Sequence, residues 1–410
     1  MSAPNVFFLV IDSLRADVVF DDQPPTPNLA GFIASGAAFT QCISTTTTTT
    51  PSFSSMLTGC YPPKHGVRGL QGYRLSATVT TWAEAFSKAG YKTYAEVTGP
   101  LLPETGVLRG FDEANHRPGY RQPFFGWRDD VIAKLRAYER PFFMLLHIWE
   151  VHRPYRMPPD FTKRLDKEGY EGAVAASDER LGPIFDALPD DTIVVITGDH
   201  GEQYARSAAE LKLIRAATKV RRKLKLSKWF VAADNRLAGL AVGHGFGLYE
   251  PLVRVPLVIA GPGVPRARVD DQVRHVDLLP TVAELCGVET PTGIDGRSLV
   301  PLMQGLGLPE EPAYIEAVGV KLEGRRIMAA RTPDWKLVKQ QGAAPALYRL
   351  DGSSGPDERH NLYRRYPEVA GRLEAYIDAV NSAPSEVSDS GMTAEEEAVV
   401  EQHLRDLGYL

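Results

Sequence analysis

Asn5-Val6-Phe7-Phe8-Leu9-Val10-Ile11-Asp12 is a short apolar run that stops on a carboxylate. Branched and aromatic side chains without polar alternation favour a strand covered on both faces. The run has no basic stretch before it and is far too short to span a bilayer, so it reads as neither signal peptide nor anchor. Working outward, runs of the same kind recur at residues 91–97, 141–148, 192–197 and 255–260. Helical patterns fall at 26–35, 51–57, 80–89, 128–138, 172–187 and 277–286. Such alternation predicts an α/β fold with a mostly parallel central sheet and helices on both faces. Ligands of such sheets sit beyond the carboxyl ends of the strands. Asp12, the segment from His147 to His152, and Asp199-His200 all lie at or just past a strand end. One sheet edge therefore collects the chemistry.

After about Pro301 the texture changes to short strands joined by turns, at 313–315, 326–331, 335–339 and 346–350. With a helix at 367–380 they predict a small C-terminal α+β subdomain with antiparallel strands. Residues 382–391, rich in Ser, Pro and acids, read as a linker, and 393–407 as a terminal helix opened by a Thr393/Glu396 capping box. The expected division is a catalytic domain at 1–300, the subdomain at 301–382, and linker plus terminal helix at 383–410. The 410 residues are 43% hydrophobic and 24% charged, with net charge −5. That balance excludes a global polyanion-binding role, so no nucleic-acid partner is expected. No segment has the apolar length of a transmembrane helix. Cys42, Cys60 and Cys286 are odd in number and widely spaced, which fits buried thiols in a cytoplasmic protein better than a disulfide framework.

Five segments carry the chemistry. After the first strand and its Asp12 comes Thr49-Thr50-Pro51-Ser52-Phe53, leading into Leu57-Thr58-Gly59-Cys60-Tyr61-Pro62 and His65-Gly66. The third is His147-Ile148-Trp149-Glu150-Val151-His152-Arg153-Pro154-Tyr155, and the fourth Thr197-Gly198-Asp199-His200-Gly201-Glu202. The last is Gly243-His244-Gly245, followed by Leu248-Tyr249-Glu250 and Val253-Arg254-Val255-Pro256. A divalent ion that shields an anionic ester wants carboxylates and imidazole, which Asp12, Asp199 and His200 supply at neighbouring strand ends.

In order and spacing these segments resemble the sulfatase family of the alkaline phosphatase superfamily. The likeness extends to Leu347-Tyr348-Arg349-Leu350 with Asn361-Leu362. The resemblance implies a metal site of Asp12, Thr49, Asp199 and His200, with Thr49 as the metal-touching nucleophile. It also places His152 against the reacting group and His244 at the leaving group or a second ion. One ion (Ca, Mn, Mg or Zn) is the preferred count, and His147, Glu150, His152 and His244 offer the makings of a second. His147 itself, inside an apolar strand, reads as a core or supporting residue.

The chain also departs from the sulfatase pattern. The family's Cys-x-Pro-Ser-Arg motif, whose cysteine or serine becomes formylglycine, is met here by Thr49, Thr50, Pro51, Ser52 and Phe53. Threonine is no substrate for that oxidation, and Phe53 replaces the arginine. Where the resemblance implies a Lys-x-His pair the chain has Thr98-Gly99-Pro100, and Asp12 is followed by Ser13 instead of a second acid. Unmodified threonine serves as nucleophile in phosphodiesterases and phospho-transferases of the same superfamily, whose Thr-x-Pro spacing Thr49 and Pro51 also meet. Phosphate diester or phosphonate ester hydrolysis is therefore the expected reaction. Sulfate ester hydrolysis without formylglycine, phospho-group transfer and a non-catalytic binding role stand as alternatives. Arg15 either lends the charge that Phe53 removes or forms a surface salt bridge. The basic stretch 206–228, with Arg206, Lys212, Arg215, Lys219, Arg221, Arg222, Lys223, Lys225 and Lys228, reads as a solvated helix face or as an arm for an anionic lipid or polymer.

Overall fold

The computed structural model describes residues 3–117, 124–155, 169–204, 212, 243–245, 247–320, 326–351, 358–382 and 391–410. Strands β1 (Asn5–Ile11), β2 (Ala37–Ile43), β3 (Lys92–Val97), β4 (Glu113–His116), β5 (Phe142–Ile148), β6 (Thr192–Gly198), β7 (Arg254–Ala260) and β8 (Ala267–Arg274) form one sheet, ordered β4-β3-β5-β1-β6-β7-β2-β8. The core of the sheet is parallel, as expected. β7 alone runs against both of its neighbours, β6 and β2. Three strands, β2, β4 and β8, were not foreseen. Each is short or carries polar residues within it (Glu113–His116 is mostly exposed), so none shows an uninterrupted apolar run.

Helices α1 (Pro27–Ser35), α2 (Thr49–Thr58), α3 (Trp82–Lys88), α4 (Phe124–Ala137), α5 (Gly169–Phe185) and α6 (Leu278–Cys286) cover the sheet. Successive strand residues point to opposite faces, and β1 divides the core accordingly. Val6, Phe8 and Val10 pack with Phe53, Met56 and Leu57 of α2, Trp82 and Phe86 of α3, and Leu278, Leu279 and Val282 of α6. Phe7, Leu9 and Ile11 pack on the other side with Val131 and Leu135 of α4 and Val174, Leu181 and Ile184 of α5. Every residue of β1 is buried, which is why it shows no polar alternation.

The second sheet is antiparallel, ordered β12-β11-β10-β9, from β9 (Ala313–Ala317), β10 (Ile327–Arg331), β11 (Trp335–Gln340) and β12 (Ala346–Arg349). Helix α7 (Pro367–Asn381) buries Ala370, Leu373 and Ile377 against Tyr314, Ala330, Leu337 and Leu347 of this sheet. Buried Glu250 ties the two sheets together: it takes Lys336 Nζ at 2.9 Å and Arg331 Nη2 at 2.9 Å. The last helix, α8 (Ala394–Leu407), opens with the expected Thr393/Glu396 capping box. Among the described residues no helix is long and apolar enough to cross a membrane. Cys42 and Cys60 are buried free thiols and Cys286 is a half-buried one. The basic stretch, apart from Lys212, and most of the expected linker lie outside the described residues.

Candidate active site

Register explains how the site assembles. Ile11 pairs with Ile148 on β5 and with Gly198 on β6, so Asp12, Trp149 and Asp199 leave three adjacent strands at one level. Parity adds the face. Phe143 and Leu145 of β5 and Ile193 and Val195 of β6 share the α2 side of the sheet with Val10. His147, Asp199 and Asp12 continue those alternations, and α2 begins at Thr49 on the same side. Two glycines permit the close turns. A Cβ on Gly198 would lie 2.5 Å from the Leu14 carbonyl oxygen, and one on Gly201 would lie 2.0 Å from that of Pro251.

Asp12, His147 and Asp199 are fully buried, and one ligand atom from each falls within a sphere of mutual distances below 4.8 Å. The Thr49 hydroxyl donates to Asp12 Oδ2 at 3.2 Å. Ser13, where the family pattern has an acid, adopts the left-handed conformation (φ 62°). From there its N–H donates to Asp199 Oδ1 (2.9 Å) and its hydroxyl to Asp12 Oδ1 (2.7 Å), so one residue ties both carboxylates.

The histidine tautomers follow from their carbonyl partners, since a carbonyl can only accept. His147 Nδ1–H donates to Thr98 O at 3.0 Å and His200 Nδ1–H to Gly201 O at 2.9 Å. Each ring then turns a bare Nε2 lone pair toward a carboxylate oxygen: His147 to Asp12 Oδ2 at 3.7 Å, His200 to Asp199 Oδ2 at 3.4 Å. His147 Nε2, Asp199 Oδ2 and His200 Nε2 are all buried without a hydrogen-bond partner. Lone pairs facing carboxylates in a dry site are repulsive unless a cation lies between them. The donor set of imidazoles and carboxylates fits a divalent ion.

Charges are distributed unevenly around this cluster. Burial alone would raise Asp12, but the imidazoles of His147, His152 and His200 around it hold it below the usual carboxylate range. Asp199 goes up, through burial and the neighbouring Asp12 charge. His152 is pushed down by burial to about 4, against the pull of Asp12. His244 is raised, because the carboxylate of Glu202, 3.4 Å from its Nδ1, outweighs burial. The His152 and His244 rings lie 4.9 Å apart.

Several expectations are refined here. His147, read as a supporting residue, stands in the carboxylate cluster itself. Glu202, from the Asp199-His200 motif, faces His244. Glu150 is engaged by Arg117 Nη1 at 2.7 Å. Arg15 is no surface salt bridge: it is 7% exposed, bonded to Asp17 (2.5 Å) and to the Glu202 carbonyl (2.9 Å). Phe53 packs edge-on against the His147 ring at 5.0 Å. Thr98, Gly99 and Pro100 present three consecutive carbonyls, which accept from His147, from His116 and His403, and from Thr50 respectively.

His65 and His275 belong to the frame. His65 accepts from Val67 N–H (3.1 Å) and donates to Ser55 (2.9 Å), and burial brings it down to about 3, as it does His275. An unfolded histidine titrates near 6.5, so the stability His65 contributes is complete above that pH and is lost as pH falls from about 6.5 toward 3. His65→Gln keeps one donor and one acceptor but cannot titrate. The unfolding free-energy advantage of the wild type over this variant is expected to shrink by about 2 kcal/mol between pH 7 and pH 5 in urea titrations. A constant difference would show that His65 is not held neutral.

The sulfatase family model matches residues 4–288, and the model of the N-sulphoglucosamine sulphohydrolase C-terminal region matches 246–382. The chain is 22% identical over 436 residues to the uncharacterized sulfatase YidJ of Escherichia coli, covering 92% of this chain and 87% of that protein. Its fold matches the phosphonate monoester hydrolase of Agrobacterium radiobacter with TM-score 0.71 at 18% identity, covering 92% and 95% of the two chains. A 2-O GAG sulfatase matches with TM-score 0.70 at 20% identity, over 96% of each chain.

Proposed function

This chain belongs to the sulfatase family, and from that premise we propose that it is a metal-dependent hydrolase of an anionic ester in which Thr49 is the nucleophile. The favoured substrate is a phosphate diester or a phosphonate ester. The observation that carries the reading is the group of buried, unpartnered lone pairs around Asp12 and Asp199, with the Thr49 hydroxyl bonded into it.

Asp12, Asp199, His200 and Thr49 would hold the ion, with His147 as a further donor. A divalent ion supplies positive charge that neutralises ester oxygens and lowers the cost of an alkoxide. Thr49 opens α2, a ten-residue helix whose N-terminal dipole favours negative charge at its start. Asp12 orients the Thr49 oxygen for attack and accepts its hydroxyl proton along that hydrogen bond. The Thr49–phosphorus bond forms as the bond to the leaving oxygen breaks.

Environments that push two pKa values apart assign acid and base. His244, raised by Glu202, is the protonated member and gives its proton to the leaving oxygen. It then takes a proton from the water that cleaves the phosphothreonine, and Thr49 regains its own from Asp12. His152, held neutral by burial, packs against the His244 ring at 4.9 Å and fixes where that acid stands.

The second reading is a sulfatase that works without formylglycine, favoured by the two family models that match this chain. A panel of aryl phosphate mono- and diesters, an aryl phosphonate ester and aryl sulfate, each with Ca, Mn, Mg or Zn added, separates the two. Turnover of phosphorus esters is expected. Turnover of sulfate alone would replace the substrate class, and silence across the panel would turn the reading toward binding.

A further inference from the structure

Helix α8 lies beyond both matched regions, the second of which ends at residue 382. It nevertheless reaches the active site. Its Val400 and Leu404 are buried in a small cluster with Leu70, Leu102 and Tyr409. Gln71 bonds Glu401 at 3.0 Å and Arg74 pairs with Glu396 at 3.0 Å, so the helix is docked along its length. Beyond it, Gly408 takes φ 87°, its N–H donates to Arg405 O (3.0 Å), and Tyr409 N–H donates to Leu404 O (2.9 Å). That pair of bonds is a Schellman turn, which needs a residue tolerant of positive φ at Gly408 and folds the next side chain back over the helix end.

The turn delivers Tyr409 to His152. The two rings are 5.6 Å apart and the phenolic oxygen is 2.9 Å from His152 Nε2. His152 Nδ1 is 2.5 Å from Arg153 O and must carry the proton, so Nε2 accepts from the Tyr409 hydroxyl. Burial, with the charges of Asp12, Asp199 and Glu202, pushes the Tyr409 phenol up, so it remains a donor at any working pH. Six residues earlier His403 Nε2 donates to Gly99 O at 2.9 Å, closing the same side of the site.

We propose that the C-terminal helix is a wall of the active site and that Tyr409 is a positioning residue for the reaction, holding the His152 imidazole in one tautomer and one orientation. The inference rests on the hydrolase reading above and adds a residue outside the shared family regions. A group held in place by a neighbour gains rate by losing unproductive orientations, and one neutral hydrogen bond of this kind corresponds to about tenfold in rate.

The test is Tyr409→Phe in the full chain, which keeps the ring and its packing and removes only the hydroxyl. Wild-type melting temperature, a displaced His152 Nε2 signal in spectra of ¹⁵N-histidine-labelled protein, and a kcat about tenfold lower at unchanged KM are expected. An unmoved His152 signal would overturn the contact. A moved signal with wild-type kcat would overturn the positioning role. Should the variant lose stability, Tyr409→Trp, which restores an N–H donor on a larger ring, must recover kcat in part, and its failure to do so counts against the proposal. A wild type inert toward every ester in the panel is a different failure: it removes the hydrolase reading, and this inference with it.

Discussion

Thr49→Ala is expected to lower kcat on the best ester by about 10³-fold or more, because it removes the oxygen that the proposed mechanism joins to phosphorus. The side chain is buried, and among the described residues its hydroxyl bonds Asp12 alone. The loss of one modest hydrogen bond should therefore cost about 1 kcal/mol in stability, so the protein remains folded and the comparison is clean. Thr49→Ser retains an oxygen at nearly the same position and should keep activity within about tenfold of wild type. Rapid quenching during turnover of a phosphorus ester should show a phosphorylated peptide spanning residue 49 in the wild type and none in Thr49→Ala. Full activity in the alanine variant would eliminate the nucleophile assignment.

Asp199→Asn is expected to abolish the stabilisation of the protein by added divalent ion, and activity with it. In the metal-free protein the substitution should be neutral or stabilising. Asp199 and Asp12 face each other in a dry site, and it is burial and this repulsion that raise Asp199. An asparagine still accepts the Ser13 and His200 N–H bonds through its remaining oxygen while removing a buried negative charge. In the wild type an ion at 100 times its dissociation constant should add about 2.7 kcal/mol to the unfolding free energy. Thermal melts of both proteins with and without Ca, Mn, Mg or Zn decide the matter. A variant that still gains stability from the ion would show that Asp199 is not a ligand.

Much of the site was legible because strand ends and turns leave local marks. Asp12 ends an apolar run, Asp199-His200 sits between Gly198 and Gly201, and Thr49 precedes a proline at a helix start; each mark has a backbone reason visible in the fold. The place of His147 beside the carboxylates was not legible, for a physical reason. β5 is buried on both faces, so its residues show no polar alternation to reveal which side His147 occupies. Only pairing with β1, at Val10, brings it beside Asp12. Tyr409 left no mark at all: it lies 257 positions from its partner and meets it only because α8 docks on Leu70 and Leu102.

The sequence by itself determined the α/β class, the shared edge where the chemistry gathers, the separate antiparallel C-terminal sheet and the family resemblance. These follow from periodicity and local backbone demands, which act over a few residues. Tertiary structure alone decided that β7 runs antiparallel, that Arg15 is spent on Asp17, that Glu202 raises His244, and that His147 and Tyr409 stand at the site. Those outcomes depend on register and docking between segments far apart in the chain. A pKa or a metal cage is set by charges a few ångströms away through space, and no local pattern of residues carries that distance.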